Sequence, residues 1–265
     1  MVHHLDEMKM LIKEEKDFKF IDEGKGQKLM LLHGLFGALS NYKDVLKYFS
    51  DKNNVIIPLL PLYDLPIINA TIRGLVKHVN KFINYKGYKD LVLLGNSLGG
   101  HVALVYALTY PEDVKALVLT GSSGLYENTF GGSYPKKGNY EYIKEKTAFT
   151  FYDPKTASKE LVDEVFESVN NRGKAIKIIA MSRSAMKDNL TDQLPNIKMP
   201  VQLIWGMQDK ITPPEVAEDF HSLLPNSELT FIDKCGHAPM MELPGEFNVL
   251  VEKFLVKLQN DETSQ

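Results

Sequence analysis

The sequence predicts an α/β protein with a mostly parallel, doubly wound sheet, helices on both faces of that sheet, and an inserted helical cap. Short apolar runs alternate with helical patterns on either side of a long interruption between residues 121 and 200. Such alternation favours a parallel sheet covered by helices. We therefore assign residues 1–121 and 197–265 to the core and residues 122–196 to the cap.

The predicted strands are short runs rich in branched apolar residues. They cover residues 18–21, 28–32, 54–57, 91–94, 114–119, 201–206 and 229–232. The predicted helices follow a period near 3.6 residues. They cover residues 41–49, 69–85 with Asn69 as N-cap, 98–110, 140–146, 158–170 and 172–188.

Composition excludes several classes of function. The chain has 265 residues and a formal net charge of −3, which gives no reason to expect a nucleic-acid or anionic-membrane partner. Cys235 is the single cysteine, so no intramolecular disulfide can form and a reducing compartment is expected. The N-terminal stretch lacks the apolar centre of a signal peptide, and no apolar run is long enough to cross a bilayer. We expect a cytoplasmic protein that acts on a small molecule; its oligomeric state stays open.

A sharp turn with a serine at its centre follows the predicted strand 91–94. Ser97 is flanked by Gly95 and Gly99 and leads into a predicted helix. A strand, a Gly-x-Ser-x-Gly turn and a helix form a nucleophile elbow, which exposes the serine hydroxyl at the cost of backbone strain. Because the backbone must approach closely there, the flanking residues must be small.

A nucleophilic serine needs a base and an orienting carboxylate, and both are available downstream. Asp209 follows the predicted strand 201–206, and His237 follows the predicted strand 229–232. The carboxyl ends of parallel strands share one edge of a sheet, so these residues can meet Ser97 there. Asp233 is the alternative acid, although its position four residues before His237 is more typical of a strand end.

Four motifs in order resemble the α/β-hydrolase superfamily, in the capped branch of small carboxylesterases and carbon–carbon bond hydrolases. They lie at residues 33–37 (His-Gly-Leu-Phe-Gly), 95–100, 205–209 and 236–239. The resemblance covers nearly the whole chain and implies a Ser97–His237–Asp209 triad. The sequence has no dinucleotide, phosphate-loop or metal-binding motif, so we expect neither a cofactor nor a metal. The resemblance also places the helical cap between the sixth and seventh strands.

The same resemblance implies an oxyanion hole made of backbone N–H groups. One donor is the N–H of Leu98, the residue after the nucleophile, and the other is assigned to Leu35, with Phe36 as the alternative. Phe36, Phe130 and Tyr134 are the candidate substrate-binding residues.

Three functions remain open at this point. The first is a carboxylesterase acting through an acyl-enzyme on small apolar esters. The second is a carbon–carbon bond hydrolase of the ring-cleavage-product type, although Leu35-Phe36-Gly37 and Ala238 depart from the residues usual in those enzymes. The third, from another class, is a ligand-binding receptor on a hydrolase scaffold.

Overall fold

The computed structural model describes residues 8–36, 39–127 and 138–263. Two of the predicted substrate-binding residues, Phe130 and Tyr134, lie outside these ranges. The statements below concern the described residues.

Eight strands of the described chain form one sheet. They are β1 (Lys13–Glu15), β2 (Phe18–Glu23), β3 (Lys28–Leu32), β4 (Asn54–Pro58), β5 (Leu91–Asn96), β6 (Val114–Thr120), β7 (Val201–Gly206) and β8 (Ser227–Ile232). Their order is β1-β2-β4-β3-β5-β6-β7-β8. The β1–β2 and β2–β4 pairs are antiparallel and all other pairs are parallel, which confirms the predicted fold class.

The helices lie on both faces of the sheet. They are α1 (Lys43–Phe49), α2 (Ile72–Lys86), α3 (Leu98–Thr109), α4 (Tyr140–Phe149), α5 (Lys159–Asn170), α6 (Arg172–Lys187), α7 (Pro214–Leu223), α8 (Pro239–Glu242) and α9 (Pro244–Thr263). Strand β5 shows why both faces are covered. Leu91 and Leu93 belong to one core cluster, and Val92 and Leu94 belong to the other, because successive side chains of a strand point to opposite faces.

The start of α2 differs from the prediction. The helix begins at Ile72 after Thr71, whose hydroxyl accepts a hydrogen bond of 3.0 Å from the Gly74 N–H. Asn69, the predicted N-cap, lies instead in a separate 3₁₀ turn. The apolar period continued into this turn and concealed the true cap, Thr71. The Thr71 hydroxyl satisfies one of the unpaired N–H groups of the first helical turn.

Between β6 and β7 the described chain contains helices α4, α5 and α6 and no strand. A side-chain oxygen caps each helix: Asn139 for α4, Ser158 for α5 and Asn171 for α6. Helix α6 also packs on the body of the protein, since Met181 and Ala185 are buried in the same core cluster as Leu91 and Leu93. Among the helices described, none combines the length and the apolar content needed to span a bilayer.

Candidate active site

Ser97 lies at the junction of β5 and α3, with backbone angles of φ 54° and ψ −122°. A positive φ is costly for a residue with a side chain, so the surrounding structure must hold it. The Ser97 N–H donates to the Thr120 carbonyl at 3.2 Å, and its carbonyl accepts from Ser123 N–H at 3.1 Å. Both flanking glycines are required by close approach: a Cβ on Gly99 would lie 1.9 Å from the Leu32 oxygen, and one on Gly95 would lie 2.6 Å from the Gly100 Cα.

The structure brings His237 and Asp209 together in the buried loops that follow β8 and β7. The two side chains are joined by a hydrogen bond of 2.9 Å between His237 Nδ1 and Asp209 Oδ2. An ionised carboxylate can accept hydrogen bonds but cannot donate them, so Nδ1 of His237 carries the proton. In the neutral ring Nε2 is then unprotonated and can act as a base.

Three further donors fix the Asp209 carboxylate. Its Oδ1 accepts from the Ile211 N–H at 2.8 Å and the Thr212 N–H at 3.0 Å, and its Oδ2 accepts from the Thr212 hydroxyl at 2.8 Å. Thr212 is fully buried, and its carbonyl accepts from Trp205 Nε1 at 2.8 Å. Sequence analysis did not identify Thr212, although an Asp followed by nearby N–H donors and a hydroxyl is typical of an Asx turn.

The electrostatic surroundings of His237 favour its charged form. Burial on its own would lower the pKa of the ring, but the negative charge of Asp209 and its hydrogen bond act in the opposite direction. The carboxylates of Glu127 and Glu242 add smaller effects of the same sign. The net result is a His237 pKa raised above the ordinary imidazole value of about 6.5.

Glu242 connects the His237 loop to the segment after α4. Its Oε1 accepts from the Gly236 N–H at 2.7 Å, and its Oε2 accepts from the N–H groups of Tyr152 at 2.7 Å and Asp153 at 3.3 Å. The His237 N–H donates to the carbonyl of Thr150 at 3.0 Å, in the same segment. Glu242 therefore joins segments that are about 90 residues apart in the sequence.

Asn96 supports the His237 loop from the sheet. Its side-chain amide donates to the Thr120 carbonyl at 3.0 Å and to the His237 carbonyl at 3.1 Å. This buried residue precedes Ser97 directly, so the elbow and the histidine loop share one side chain as a support.

The loop after β3 is held by His33. Its Nε2 accepts from the Leu60 N–H at 2.9 Å, and its Nδ1 bonds to the Gly34 carbonyl at 2.8 Å. Burial lowers the pKa of His33 to about 4, so the ring is neutral near pH 7 and acts as a structural support. The carbonyls of the next two residues are also held, Leu35 by the Tyr63 hydroxyl at 3.1 Å and Phe36 by the Asn41 amide at 3.3 Å.

One cavity brings together most of the predicted site residues. Its lining includes Ser97, His237, Leu98, Leu35 and Phe36. Asp209 lies behind the histidine ring rather than in the cavity wall. Because Leu98 is the first residue of α3, its N–H has no acceptor within the helix and is available to a ligand.

The alternative acid, Asp233, and the single cysteine, Cys235, do not line this cavity. Asp233 is exposed and accepts from Gln208 Nε2 at 2.9 Å. Cys235 is buried, and burial raises the pKa of its thiol well above the ordinary range, so the reactive thiolate is suppressed. Across residues 8–36, 39–127 and 138–263, no cluster of His, Cys, Asp or Glu could hold a metal ion.

Similar proteins share this architecture. A 2-hydroxy-6-oxononadienedioate/2-hydroxy-6-oxononatrienedioate hydrolase of Pseudomonas sp is 28% identical over 72% of this chain and 72% of its own. The monoacylglycerol lipase ABHD6 of Mus musculus is 24% identical over 97% of this chain and 85% of its own. A solved structure, MGS-MChE2, an alpha/beta hydrolase enzyme from the metagenome of sediments from the lagoon of Mar Chica, Morocco, superposes with a TM-score of 0.77. It is 41% identical and covers 93% of this chain and 98% of its own.

The sequence profile of the alpha/beta hydrolase fold matches residues 28–244, most of the chain. This match includes Ser97, Asp209 and His237 and agrees with the observed sheet order. The chain therefore belongs to the alpha/beta hydrolase fold family.

Proposed function

We propose that this chain is a serine hydrolase that cleaves small carboxylic esters with apolar acyl groups through an acyl-enzyme. The observation that carries the proposal is the 2.9 Å contact between His237 and Asp209, in a cavity whose wall also contains the strained Ser97. A nucleophile, a base and an orienting carboxylate are the groups that acyl transfer to serine requires.

The proposed reaction has two halves. In the first, His237 Nε2 accepts the Ser97 hydroxyl proton as Oγ attacks the ester carbonyl, and the protonated ring then gives that proton to the departing alcohol. In the second, His237 activates a water molecule that releases the acid. Backbone N–H groups of Leu98 and Leu35, with Phe36 as the alternative to Leu35, would stabilise the negative oxygen, a contribution of several kcal/mol in related chemistry.

The acyl group has an apolar region of the cavity available to it. Phe36, Phe151, Leu161, Val165 and Met241 line this region, and all five belong to or pack against one core cluster. Each CH₂ group buried there would contribute about 0.8 kcal/mol to binding. This lining favours short or medium acyl chains over charged ones. It also extends to helices of the segment 122–196, in keeping with the proposed role of that segment as a cap.

Carbon–carbon bond hydrolysis is the second candidate, because the Pseudomonas relative is named as a hydrolase of 2-hydroxy-6-oxononadienedioate, a substrate of the ring-cleavage-product type. That relative's named substrates are dioates, with two carboxylates. Lys146 also lines the cavity, but it is the carboxylate of Glu127 that is tied to the nucleophile elbow through Ser123, which is unfavourable for a second negative charge beside the reacting groups. The ester reaction is therefore preferred.

The test is turnover of p-nitrophenyl acetate, butyrate, octanoate and palmitate by the purified chain and by Ser97→Ala. We expect the butyrate or octanoate to be cleaved best and Ser97→Ala to be inactive. A 2-hydroxy-6-oxo-dienoate, followed by loss of its absorbance, is the competing substrate. Faster cleavage of the dienoate would replace the ester assignment with the carbon–carbon one. Binding of either compound without turnover would instead favour the receptor.

A further inference from the structure

The wall of the cavity around Ser97 carries two chemically different sets of residues. The set described above is apolar and belongs to or packs against one core cluster. The other set is polar and includes Ser123, Glu127 and Ser182. A carboxylate in the wall of a largely apolar cavity is costly unless it is hydrogen-bonded, so its partners indicate what it can do.

Glu127 is tied to the nucleophile through one residue. Its Oε2 accepts from the Ser123 hydroxyl at 2.6 Å, and the Ser123 N–H donates to the Ser97 carbonyl at 3.1 Å. The carboxylate is therefore placed relative to the elbow by two consecutive hydrogen bonds. A carboxylate has about four lone-pair sites, so the bond from Ser123 leaves it capacity to accept others.

The acyl chain takes the apolar lining of the cavity, which leaves the polar wall that carries Glu127 to the departing alcohol. The charge of Glu127 acts on the His237 ring, and His237 is the group that returns a proton to the departing alcohol. An alcohol whose oxygen meets Nε2 is therefore within the electrostatic range of the Glu127 carboxylate.

An ionised carboxylate accepts hydrogen bonds and donates none. It therefore favours alcohols that carry additional O–H groups, since these can donate to it, and it disfavours alcohols that carry a carboxylate or phosphate. The cavity also has a lysine, Lys146, on α4; its ammonium lies 5.7 Å from the ring centroids of Tyr142 and Phe149. Lys146 thus lies against aromatic rings of α4, whereas Glu127 is the charge that is tied to the elbow through Ser123.

We propose that Glu127, held by Ser123, forms an alcohol subsite that selects esters of uncharged polyols such as glycerol and rejects esters of anionic alcohols. The subsite rests on the proposed ester hydrolysis, because it discriminates among departing alcohols of that reaction.

The experiment compares three butyrate esters that share one acyl group: 1-butyrylglycerol, propyl butyrate and O-butyryl glycolate. For the unaltered chain we expect kcat/KM to be highest for the glycerol ester and lowest for the glycolate. In Glu127→Gln the preference for glycerol over propyl should fall about 10-fold, as expected for loss of a charged acceptor. The glycolate ester should improve. Glu167→Gln, at an exposed glutamate of α5 outside the cavity, should leave all three rates unchanged.

A second readout separates a direct role from a structural one. Loss of the Glu127 charge should also move the limb of the pH profile for propyl butyrate to lower pH, since this charge favours protonated His237. If Glu127→Gln fails to fold, Ser123→Ala removes the tether and should lower the glycerol preference in the same direction by a smaller factor.

The outcomes distinguish the two proposals. No cleavage of any ester by the unaltered chain would overturn the proposed function. Ester cleavage with equal rates for glycerol and propyl esters, or with a preference that Glu127→Gln leaves intact, would overturn the alcohol subsite alone.

Discussion

Asp209 Oδ2 lies 2.9 Å from His237 Nδ1, although 28 residues separate them in the sequence. Two neighbouring parallel strands, β7 and β8, end at the same edge of the sheet, and each residue sits on the loop after its strand. Their contact is thus a consequence of strand pairing, and it determines which ring nitrogen of His237 is available as a base.

Asp209→Asn should lower kcat/KM for esters by about 10³- to 10⁴-fold with little change in KM. The amide retains the shape of the carboxylate but no longer supports the protonated ring or enforces its tautomer. Steady-state kinetics with p-nitrophenyl butyrate provide the measurement. Asp233→Asn is the matched control, because that aspartate is exposed and faces Gln208, and it should behave like the unaltered chain. Equal effects of both changes would contradict the assignment of Asp209.

Ser97→Gly should be more stable than Ser97→Ala, while both lose nearly all turnover. At φ 54° and ψ −122° the backbone of a residue with a Cβ is strained, whereas glycine adopts this conformation without strain. The difference in folding free energy is on the order of 1 kcal/mol. For a chain of this size that corresponds to roughly 2 °C in Tm. Differential scanning calorimetry of the two variants measures it. A higher Tm for the alanine variant would mean that the backbone at Ser97 is unstrained.

Ester hydrolysis should increase with pH along a limb centred above about 6.5. The base must be neutral to accept a proton, and Asp209 together with the other nearby carboxylates holds the pKa of His237 above its ordinary value despite burial. A kcat/KM profile with a substrate whose chemistry is rate-limiting measures this limb. In Asp209→Asn the residual activity should titrate at lower pH. A flat profile between about pH 6 and 8 would contradict a histidine base.

The raised pKa of His237 also predicts the direction in which folding stability changes with pH. Because the folded pKa of His237 is raised, the folded state binds its proton more tightly than the unfolded chain does. The resulting stabilisation is fully present below the unfolded pKa, about 6.5, and is lost as pH rises through the folded value. The difference in Tm between the unaltered chain and His237→Gln, measured at several pH values, isolates this contribution.

Local patterns were sufficient to predict the sheet and the elbow. All seven predicted strands lie within or match observed strands, and five of them, at 28–32, 54–57, 91–94, 114–119 and 201–206, are buried along most of their length. Strand β1 was missed, since Lys13–Glu15 is short and polar and is defined only by pairing with β2.

The polar residues around the site were harder to predict. Thr212, Glu127 and Asn96 are common residue types whose roles depend on partners brought close by folding. The contacts of Glu242 with Tyr152 and Asp153 join segments about 90 residues apart, and a local sequence pattern does not predict them. The catalytic roles of Ser97, Asp209 and His237 stay predictions until the variants are measured.

Glu242→Gln should reduce both stability and turnover. The two carboxylate oxygens accept from the N–H groups of Gly236, Tyr152 and Asp153, and an amide must direct its own N–H groups at one of these donors. Leaving a partly buried N–H unpaired costs about 1–3 kcal/mol. Because Gly236 precedes His237, the loss of this hydrogen bond should also displace the base and lower kcat more than it raises KM.

Thermal unfolding and steady-state kinetics measure the effects on stability and on turnover. The control is Glu246→Gln, which changes an exposed glutamate near the start of α9. If Glu242→Gln and Glu246→Gln are equally stable and equally active, Glu242 does not hold the histidine loop.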